Sequence, residues 1–293
     1  MADADWRPLD VPHDFSIEGP PGADPATMEG PFDRKSPGGS GAGSLNGGIA
    51  WYRKAFTLPE DAKGKRVFVR FDGVYMDSDV WLNGAHLGKH PYGYTGFQYD
   101  LTPQMKPGGN VLAVRVHVQQ PCSRWYSGAG IYRHVWLTIT DPVHVALWGT
   151  YVTTPEVLDA AAQVRVRTRV QNEGEAGVKA MLTTGIVDAG GKKIAEHQAA
   201  EQIAAGGSHE FDQTLKVATP RRWSIEDPYL YRAVSEVRVG DRLVDRYETS
   251  FGIRTIAFTV ENGFLLNGKR VQLKGVCNHH DLGCLGSAVH RRG

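Results

Sequence analysis

Cysteine is scarce in this sequence, and that scarcity excludes a fold held together by disulfides. The chain has 293 residues and only three cysteines, Cys122, Cys277 and Cys284, and an odd, sparse count does not form a disulfide framework. Cys277 and Cys284 flank His279 and His280, but this spacing matches no common zinc pattern. We therefore expect no cofactor and no metal bound to this chain.

Long apolar runs and an excess of one charge are also missing. No apolar stretch approaches the roughly 18–20 residues needed to span a bilayer, and a net charge of +1 offers no basic surface to nucleic acid or to an anionic membrane. The first residues, MADADWRPLDVPHDF, have neither the basic nor the apolar region of a signal peptide. A protein whose leader had been removed would start in the same way, so both a cytoplasmic location and a periplasmic or secreted one remain open.

The sequence motifs of several enzyme classes are absent as well. There is no His-Glu-x-x-His metalloprotease motif and no Gly-x-Ser-x-Gly nucleophile elbow. The glycine-rich stretch SPGGSGAGSLNGG at 36–48 is not followed by Gly-Lys-Ser/Thr, so it does not predict a phosphate-binding loop. We interpret it as a mobile surface loop.

The pattern that dominates the chain is an alternation of apolar and polar residues with period two, which predicts β-strands. It is clearest at 66–72, 111–118 and 164–170. Asn-Gly pairs at 83–84, 262–263 and 267–268 stand between strand-like runs and predict tight turns. Many short strands with frequent turns are typical of β-sandwiches.

Composition divides the chain into three segments. Residues 1–142 hold most of the aromatic residues, and residues 143–252 have the length of an immunoglobulin-like sandwich. Asp141-Pro142 is a plausible boundary, since proline disfavours helix before it and cannot donate to a β-ladder. From residue 253 onward, the hairpin-like FTVENGFLLNGKRVQ leads into LKGVCNHHD.

Five groups of motifs resemble glycoside hydrolase family 2. They follow one another along nearly the whole chain, and their residues are most similar to those of the family's β-galactosidases. They are VPHDFSIEG with GGIAWYRKAF, VYMDSDVWLNGAHLGKHPYGYTGFQYDLT, SRWYSGAGIYRHVWL, RWSIEDPYLY with FGIRT, and LLNGKRVQLKGVCNHHDLG. The resemblance implies a mostly β fold. A jelly-roll sandwich of the sugar-binding type (1–142) is followed by an immunoglobulin-like β-sandwich (143–252) and by the first hairpin and strand of a (β/α)₈ barrel (253–293).

The resemblance also implies what this chain lacks. A (β/α)₈ barrel needs about 250 residues, and 253–293 is far too short to close one, so we expect the barrel to be truncated here. Both catalytic glutamates of the family come from later barrel strands. The chain is therefore expected to be the N-terminal part of a retaining hydrolase of β-glycosides, in particular β-galactosides, in carbohydrate catabolism. By itself it is expected to contain no catalytic residue and to be inactive.

The resemblance further suggests residues that contact the sugar in the intact enzyme. They are His279, Asp281 and Asn278 in the motif after the first barrel strand, and Arg124 and Trp125 in the SRWYSGAGIYRHV loop. For Arg124 and Trp125, a role in the core or in sugar contact is equally open. Some β-galactosidases bind a magnesium or sodium ion through an aspartate near the position of Ser123, and serine here speaks against that ion.

Two aspartates and five tryptophans, which could suggest functional residues, have a structural interpretation. Asp77 and Asp79 lie two apart, as if on one face of a strand, but the resemblance implies that they belong to the jelly-roll scaffold. We expect Trp6, Trp51, Trp136, Trp148 and Trp223 to lie in cores.

The expected partner is therefore carbohydrate, and the intact enzyme could form a homo-oligomer. The main alternative from another functional class is a free-standing, non-catalytic carbohydrate-binding protein that uses the jelly-roll face or the Trp125 loop.

Overall fold

The structure, a computed structural model, describes residues 5–19, 24–121, 126–277, 279, 281–282 and 286–289. The chain divides into two compact units. Unit 1 comprises Met1–Ile139 together with Cys277–Gly293, and unit 2 comprises Thr140–Val276. Within the described ranges, no helix has both the length and the apolar character that crossing a bilayer requires.

Unit 1 is a sandwich of two antiparallel sheets with a small two-stranded ribbon, β1–β2. One sheet has the strand order β3-β8-β5-β6, and the other has the order β7-β4-β9. The strand bounds are β1 Met28–Glu29, β2 Phe32–Asp33, β3 Gly48–Thr57, β4 Arg66–Phe71, β5 Ser78–Leu82, β6 Ala85–His90, β7 Phe97–Asp100, β8 Gly109–Val118 and β9 Val135–Thr140. Short 3₁₀ turns occupy Phe15–Glu18, Gly39–Ala42, Glu60–Ala62 and Thr102–Gln104.

The core of unit 1 forms because alternate residues of these strands face inward. On β8, the side chains of Leu112, Val114, Val116 and Val118 are all buried, whereas the residues between them are half-buried. They pack against the inward residues of β4 and β5 in one apolar cluster. Burial of this area supplies the main driving force for folding of the unit.

Unit 2 is a second sandwich, followed by a short three-stranded sheet. The sheets have the orders β10-β11-β14, β13-β12-β15-β16 and β17-β18-β19. The strand bounds are β10 Val143–Val157, β11 Ala161–Asn172, β12 Val178–Val187, β13 Lys193–Ile203, β14 Ser208–Ala218, β15 Tyr231–Val239, β16 Arg242–Phe251, β17 Ile256–Thr259, β18 Gly263–Leu266 and β19 Lys269–Arg270. Two apolar clusters lie between the facing sheets of the sandwich.

These sheets confirm the predicted fold class, which is mostly β with a sandwich of the sugar-binding type followed by an immunoglobulin-like one. The predicted turns are also present. Asn83 and Gly84 join β5 to β6, and both have positive φ angles, 53° and 90°, which two-residue hairpin turns of this kind require. The assignment of residues 253–293 to the start of a barrel, and with it the three-domain division, stays a prediction.

Three of the expectations from sequence are wrong. The 36–48 stretch is not simply a surface loop, because Ser36, Ala42 and Leu45 are buried and the Ser36 hydroxyl donates to the Leu45 carbonyl at 2.7 Å. Asp77 does not share a strand with Asp79, since β5 begins at Ser78 and Asp77 has a φ of 46°.

The tryptophans form the third departure. Trp6, Trp51, Trp136 and Trp148 are exposed rather than in cores, and Trp223 is half-buried. An alternating pattern shows which residues share a face of a strand, but it does not show which face meets the core. On β3 the inward position belongs to Tyr52, which packs against the core of unit 1, so its neighbour Trp51 points outward.

Candidate functional site

The loop from Tyr126 to Ile131 is held by backbone hydrogen bonds to two other segments of unit 1. Its backbone is paired on two sides. The amides of His13 and Phe15 donate to the carbonyls of Ile131 and Ala129 at 2.7 and 2.9 Å, and Gly130 exchanges two hydrogen bonds with Tyr75 at 2.8 and 2.9 Å. A loop held in this way keeps its own residues in a fixed position, which a binding site requires.

The carboxylate of Asp14 organises this region. Its side chain is buried, and Oδ1 accepts from the Ser16 amide at 3.0 Å, the Ser16 hydroxyl at 2.6 Å and the Ala129 amide at 3.0 Å. Oδ2 accepts from the Tyr126 hydroxyl, and from the amide and hydroxyl of Ser287, both at 2.9 Å. A buried carboxylate is stable only when its lone pairs are satisfied, and here donors from three separate segments do so.

Two glycines make the close approach of these segments geometrically feasible. Gly128 has a φ of 83°, and a Cβ there would overlap the Ser287 hydroxyl. Gly286 has a φ of 62°, and a Cβ there would lie 2.5 Å from the Asp14 carboxylate and 2.6 Å from the Tyr126 hydroxyl. Both positions therefore need glycine for conformation and for space.

A polar chain continues from this cluster towards the surface. His13 lies between the Tyr52 hydroxyl, 2.8 Å from Nδ1, and the Glu18 carboxylate, 2.9 Å from Nε2. Arg7 donates to Glu18 at 2.6 and 2.7 Å. Burial opposes ionisation of Glu18, but hydrogen bonds from Arg7 and His13 outweigh it and hold the pKa of this carboxyl below its usual range. Burial raises the pKa of the Tyr52 phenol.

Of the sugar-contacting residues predicted from the sequence, two fall within the described part of the chain. His279 is exposed, and Asp281 is half-buried. The Oδ1 atom of Asp281 is shielded from solvent, and no described residue donates a hydrogen bond to it. Asn278, Arg124 and Trp125 lie outside the described residues.

The described residues around this loop leave little enclosed space. A cavity lined by Ser16, Tyr126, Gly128 and neighbouring residues has a volume of ≈ 10 Å³, which is about the space of one water molecule. A sugar ring does not fit there. Across residues whose positions the structure gives, no three His, Cys, Asp or Glu side chains are grouped as ligands for a metal ion.

Comparison with known proteins identifies the family. Residues 42–142 match the model described as "Glycosyl hydrolases family 2, sugar binding domain", and residues 143–254 match "Glycosyl hydrolases family 2". The chain belongs to glycoside hydrolase family 2. The resemblance read from the sequence motifs is thereby confirmed.

Individual relatives of this family 2 chain include enzymes with different names. It is 46% identical to the β-galactosidase BoGH2A of Bacteroides ovatus over 100% of its own length and 33% of that protein. It is 33% identical to a β-glucuronidase of Formosa agariphila, covering 93% of this chain and 29% of that one. The crystal structure of a family 2 member from Bacteroides cellulosilyticus superimposes with a TM-score of 0.94 at 41% identity, covering 100% of this chain and 37% of that one. The chain thus spans about a third of the length of these relatives.

Asp14, on which the hydrogen bonds of this region converge, is not predicted from the sequence. The VPHDFSIEG motif resembles the family, but the sequence alone gives its aspartate no role. A local signal exists, because an aspartate two residues before a serine is typical of a side chain that caps a turn, and Asp14 does accept from Ser16. Its contact with Ser287 depends on tertiary structure and has no local signal.

Proposed function

We propose that this chain forms the non-catalytic N-terminal portion of a retaining β-glycosidase that acts on β-galactosides in carbohydrate catabolism. One observation carries the proposal: the whole chain aligns at 46% identity with a protein named as a β-galactosidase, while covering 33% of its length. In this proposal unit 1 and unit 2 support chemistry that is performed by residues outside this sequence.

The electrostatics of the chain support the non-catalytic part of the proposal. Retaining glycosidases use two carboxyl groups about 5–5.5 Å apart, one of them an acid with a raised pKa. Among the residues that the structure describes, each carboxyl whose pKa is displaced is displaced downward, which is the wrong direction for an acid catalyst. These carboxyls are Glu18, Asp33, Asp212, Glu226 and Asp227.

The most conspicuous carboxylates are also occupied by structural partners. Asp77 is paired with Lys89 at 2.7 Å, and Asp79 is paired with Arg115 at 3.3 Å and with His86 at 3.0 Å. Asp14 accepts hydrogen bonds at both of its oxygens. Carboxylates held in this way serve the scaffold, in line with the role expected for Asp77 and Asp79.

We further propose that His279 and Asp281 contact the sugar in the intact enzyme, together with Asn278, Arg124 and Trp125. Support comes from Oδ1 of Asp281, to which no residue in the described ranges donates a hydrogen bond, and from the exposed imidazole of His279. Imidazole and carboxylate groups can each direct hydrogen bonds to sugar hydroxyls. Their position on the chain, after the last strand of unit 2, agrees with a loop that leads into a further domain.

The most specific part of the proposal is that the substrate is a galactoside. Relatives of this chain are named as β-galactosidases and as β-glucuronidases. The highest of these identities, 46%, is to a β-galactosidase, whereas a second β-galactosidase is 29% identical and two β-glucuronidases are 33% and 29% identical. A β-glucuronide differs from a β-galactoside in the carboxylate at C6 and in the configuration at C4, so hydrolysis assays with the two sugars distinguish the two activities.

The experiment is to determine the coding sequence beyond Gly293, express all that it encodes, and assay the product with 4-nitrophenyl β-galactoside and 4-nitrophenyl β-glucuronide. We expect faster hydrolysis of the galactoside. Preference for the glucuronide would overturn the substrate assignment, and hydrolysis of neither would overturn the assignment as part of a glycosidase.

A free-standing carbohydrate-binding protein is the second candidate function. It is favoured by the match of residues 42–142 to a domain described as sugar binding. Isothermal titration of this chain with galactose, lactose and glucuronate tests it, and the assay above separates it from the first proposal.

A further inference from the structure

The core of unit 2 is interrupted by a layer of polar side chains. Strands β11, β14, β12 and β15 each turn one polar residue inward, and each of these four side chains is at most 1% exposed. Buried polar groups cost free energy unless they are hydrogen-bonded, so a layer of four requires partners. The four residues are Thr168, Gln213, Thr184 and Ser235.

This polar layer separates the two apolar clusters of unit 2. On β12, Thr184 lies between Leu182, which belongs to one cluster, and Ile186, which belongs to the other. On the other three strands, the inward neighbours of the polar residue also belong to different clusters. These neighbours are Val166 and Val170 on β11, Phe211 and Leu215 on β14, and Ala233 and Val237 on β15. All four strands therefore place their polar residue at the same level of the sandwich.

Strand register brings the polar side chains of the two sheets together. Thr184 is directly opposite Ser235 on β15 and His197 on β13, so these three side chains form a row in which neighbouring Cβ atoms are about 4.5–5.5 Å apart. From the facing sheet, the Thr168 hydroxyl lies 3.5 Å from the Ser235 hydroxyl. The Gln213 Nε2 atom lies 3.1 Å from His197 Nδ1. The facing sheet therefore contacts this row at both of its ends.

Two atoms of the layer lack a hydrogen-bond partner. The Gln213 Nε2 atom lies 3.4 Å from the His197 carbonyl oxygen and 3.5 Å from the Leu182 carbonyl oxygen, and an atom next to two carbonyl oxygens has to be the NH₂ donor. The other atom of the amide, Oε1, receives no hydrogen bond from any described residue. The Thr184 hydroxyl also has no partner among the residues that the structure describes. Each of these buried groups would carry its full desolvation cost if it stayed unpaired.

The chemistry of the layer suits a water molecule. Water can donate to Gln213 Oε1, which only accepts, and can either donate to the Thr184 hydroxyl or accept from it. The Thr168 and Ser235 hydroxyls, 3.5 Å apart, are beyond the about 2.5–3.0 Å of an ordinary O–H···O bond, so they keep capacity for a third bond. Buried waters typically make about three hydrogen bonds. A hard cation prefers carboxylate oxygens, and none of the four inward side chains has one.

We propose that the polar layer of unit 2 binds one buried water, which bridges Thr184 Oγ1 and Gln213 Oε1 and thereby links the two sheets of the sandwich. Thr184 is smaller than Leu182 and Ile186, the inward residues on either side of it, and this difference provides space for the water. His197 is exposed, so the water can exchange with solvent at the β13 edge. The proposal is independent of the proposed function, because it concerns only residues of unit 2 and holds whether or not the complete protein is a glycosidase.

The first test is a crystal structure of the whole chain at a resolution that shows ordered waters elsewhere in the protein. We expect a water peak within hydrogen-bonding distance of both Thr184 Oγ1 and Gln213 Oε1. A well-ordered core without this peak would overturn the proposal. A direct hydrogen bond between Thr184 and Gln213 would also overturn it, because the two groups would then satisfy each other.

Thr184→Val provides an independent measurement, because it removes the hydroxyl with almost no change in volume. Amide hydrogen exchange of β12 in the whole chain reports the effect on unit 2. With the water bound, the variant leaves it with one partner fewer, and the opening constant of β12 should rise by about tenfold, as for the loss of one hydrogen bond. Without the water, the variant only removes an unpaired hydroxyl, and exchange should become slower. Slower or unchanged exchange would therefore contradict the bound water.

Thr214→Val is the matched control, since Thr214 follows Gln213 on β14 but faces solvent. It should leave the exchange of β12 unchanged. Thr184→Ser keeps a hydroxyl at the same position and should retain the water peak, which should be weaker in Thr184→Val. Equal weakening of the peak in both variants would exclude the hydroxyl as a partner of the water. If Thr184→Val does not fold, the crystal structure of the parent chain still decides between the outcomes.

Discussion

The carboxylate of Asp14 and the backbone of Ser287 are joined by a hydrogen bond of 2.9 Å from the Ser287 amide to Oδ2, across 273 positions of sequence. The Ser287 hydroxyl donates to the same oxygen at 2.9 Å. The other oxygen of Asp14 holds the Ala129 amide. One buried side chain therefore joins Ser287 to the loop Tyr126–Ile131 within unit 1.

Asp14→Asn tests this role with almost no change in volume. An asparagine amide turns an NH₂ group towards donors whichever way it is oriented, so several hydrogen bonds at Ser16, Ala129, Tyr126 or Ser287 are lost. We expect the free energy of unfolding of unit 1 to fall by more than the about 1.5–3 kcal/mol of one hydrogen bond to a charged group. Amide hydrogen exchange at Ala129 and Ser287 should accelerate.

The control for this substitution is Asp159→Asn. Asp159 is paired with Arg222 at 2.7 Å, but its side chain is 98% exposed, and exposed ion pairs contribute only about 0–1 kcal/mol. Equal effects of the two substitutions on urea unfolding would contradict the role given to Asp14.

Gly128→Ala tests whether the loop Tyr126–Ile131 and Ser287 must approach closely. Gly128 and Gly64 have similar φ angles, 83° and 77°, but a Cβ at Gly64 meets nothing within 4 Å, whereas one at Gly128 overlaps the Ser287 hydroxyl. Gly64→Ala should lower the free energy of unfolding by about 1–2 kcal/mol through backbone strain alone. Gly128→Ala should lower it further and should speed amide exchange at Ser287. Losses of the same size in urea titrations would contradict the close approach.

The ion pair between Arg7 and Glu18 predicts a pH dependence. Because the pKa of Glu18 is lowered in the folded chain, its ionised form stabilises the fold above the pKa of the unfolded chain, and this contribution is lost as pH falls through the folded pKa. Glu18→Gln should therefore be least stable relative to the parent at about pH 6–7, and the difference should shrink below about pH 4. Arg7→Gln should have the same effect. Urea unfolding curves of parent and variants that stay parallel from pH 3 to 7 would refute this.

Asp281→Asn tests the proposed sugar contact in the product of the complete coding sequence. No described residue donates to Oδ1 of Asp281, and under the proposed sugar contact a substrate hydroxyl is its donor. Loss of a charged hydrogen bond of about 1.5–3 kcal/mol corresponds to a rise in KM for 4-nitrophenyl β-galactoside of about tenfold to a hundredfold. An unchanged KM, equal to that of the exposed-site variant Asp159→Asn, would exclude the contact.

The sequence predicted those features that local rules determine. Alternation placed Val164, Val166 and Val170 on a buried face, and Asn83-Gly84 formed its turn, because a strand or hairpin depends on neighbouring residues. The contact between Trp51 and Trp81 could not be predicted in the same way. Trp51 and Trp81 are on strands separated by a third, and only the register of both with β8 brings their rings together.

The hydrogen bonds of Asp14 could not be predicted from the sequence, for a related physical reason. Its donors come from residues 16, 126, 129 and 287, and the chain that connects them passes through two sandwiches. An aspartate close to a turn is usually a local cap, and Asp14 is one for Ser16. Only the folded unit adds the long-range donors that bury it.

The central claim is that this chain provides non-catalytic domains of a glycosidase and not its catalytic carboxyl groups. The direct measurement is the initial rate of 4-nitrophenol release from 4-nitrophenyl β-galactoside by the purified 293-residue chain. We predict a rate equal to that of buffer at every protein concentration. A rate that rises in proportion to the chain, and that is abolished by replacing one of its own carboxylates with an amide, would contradict the claim.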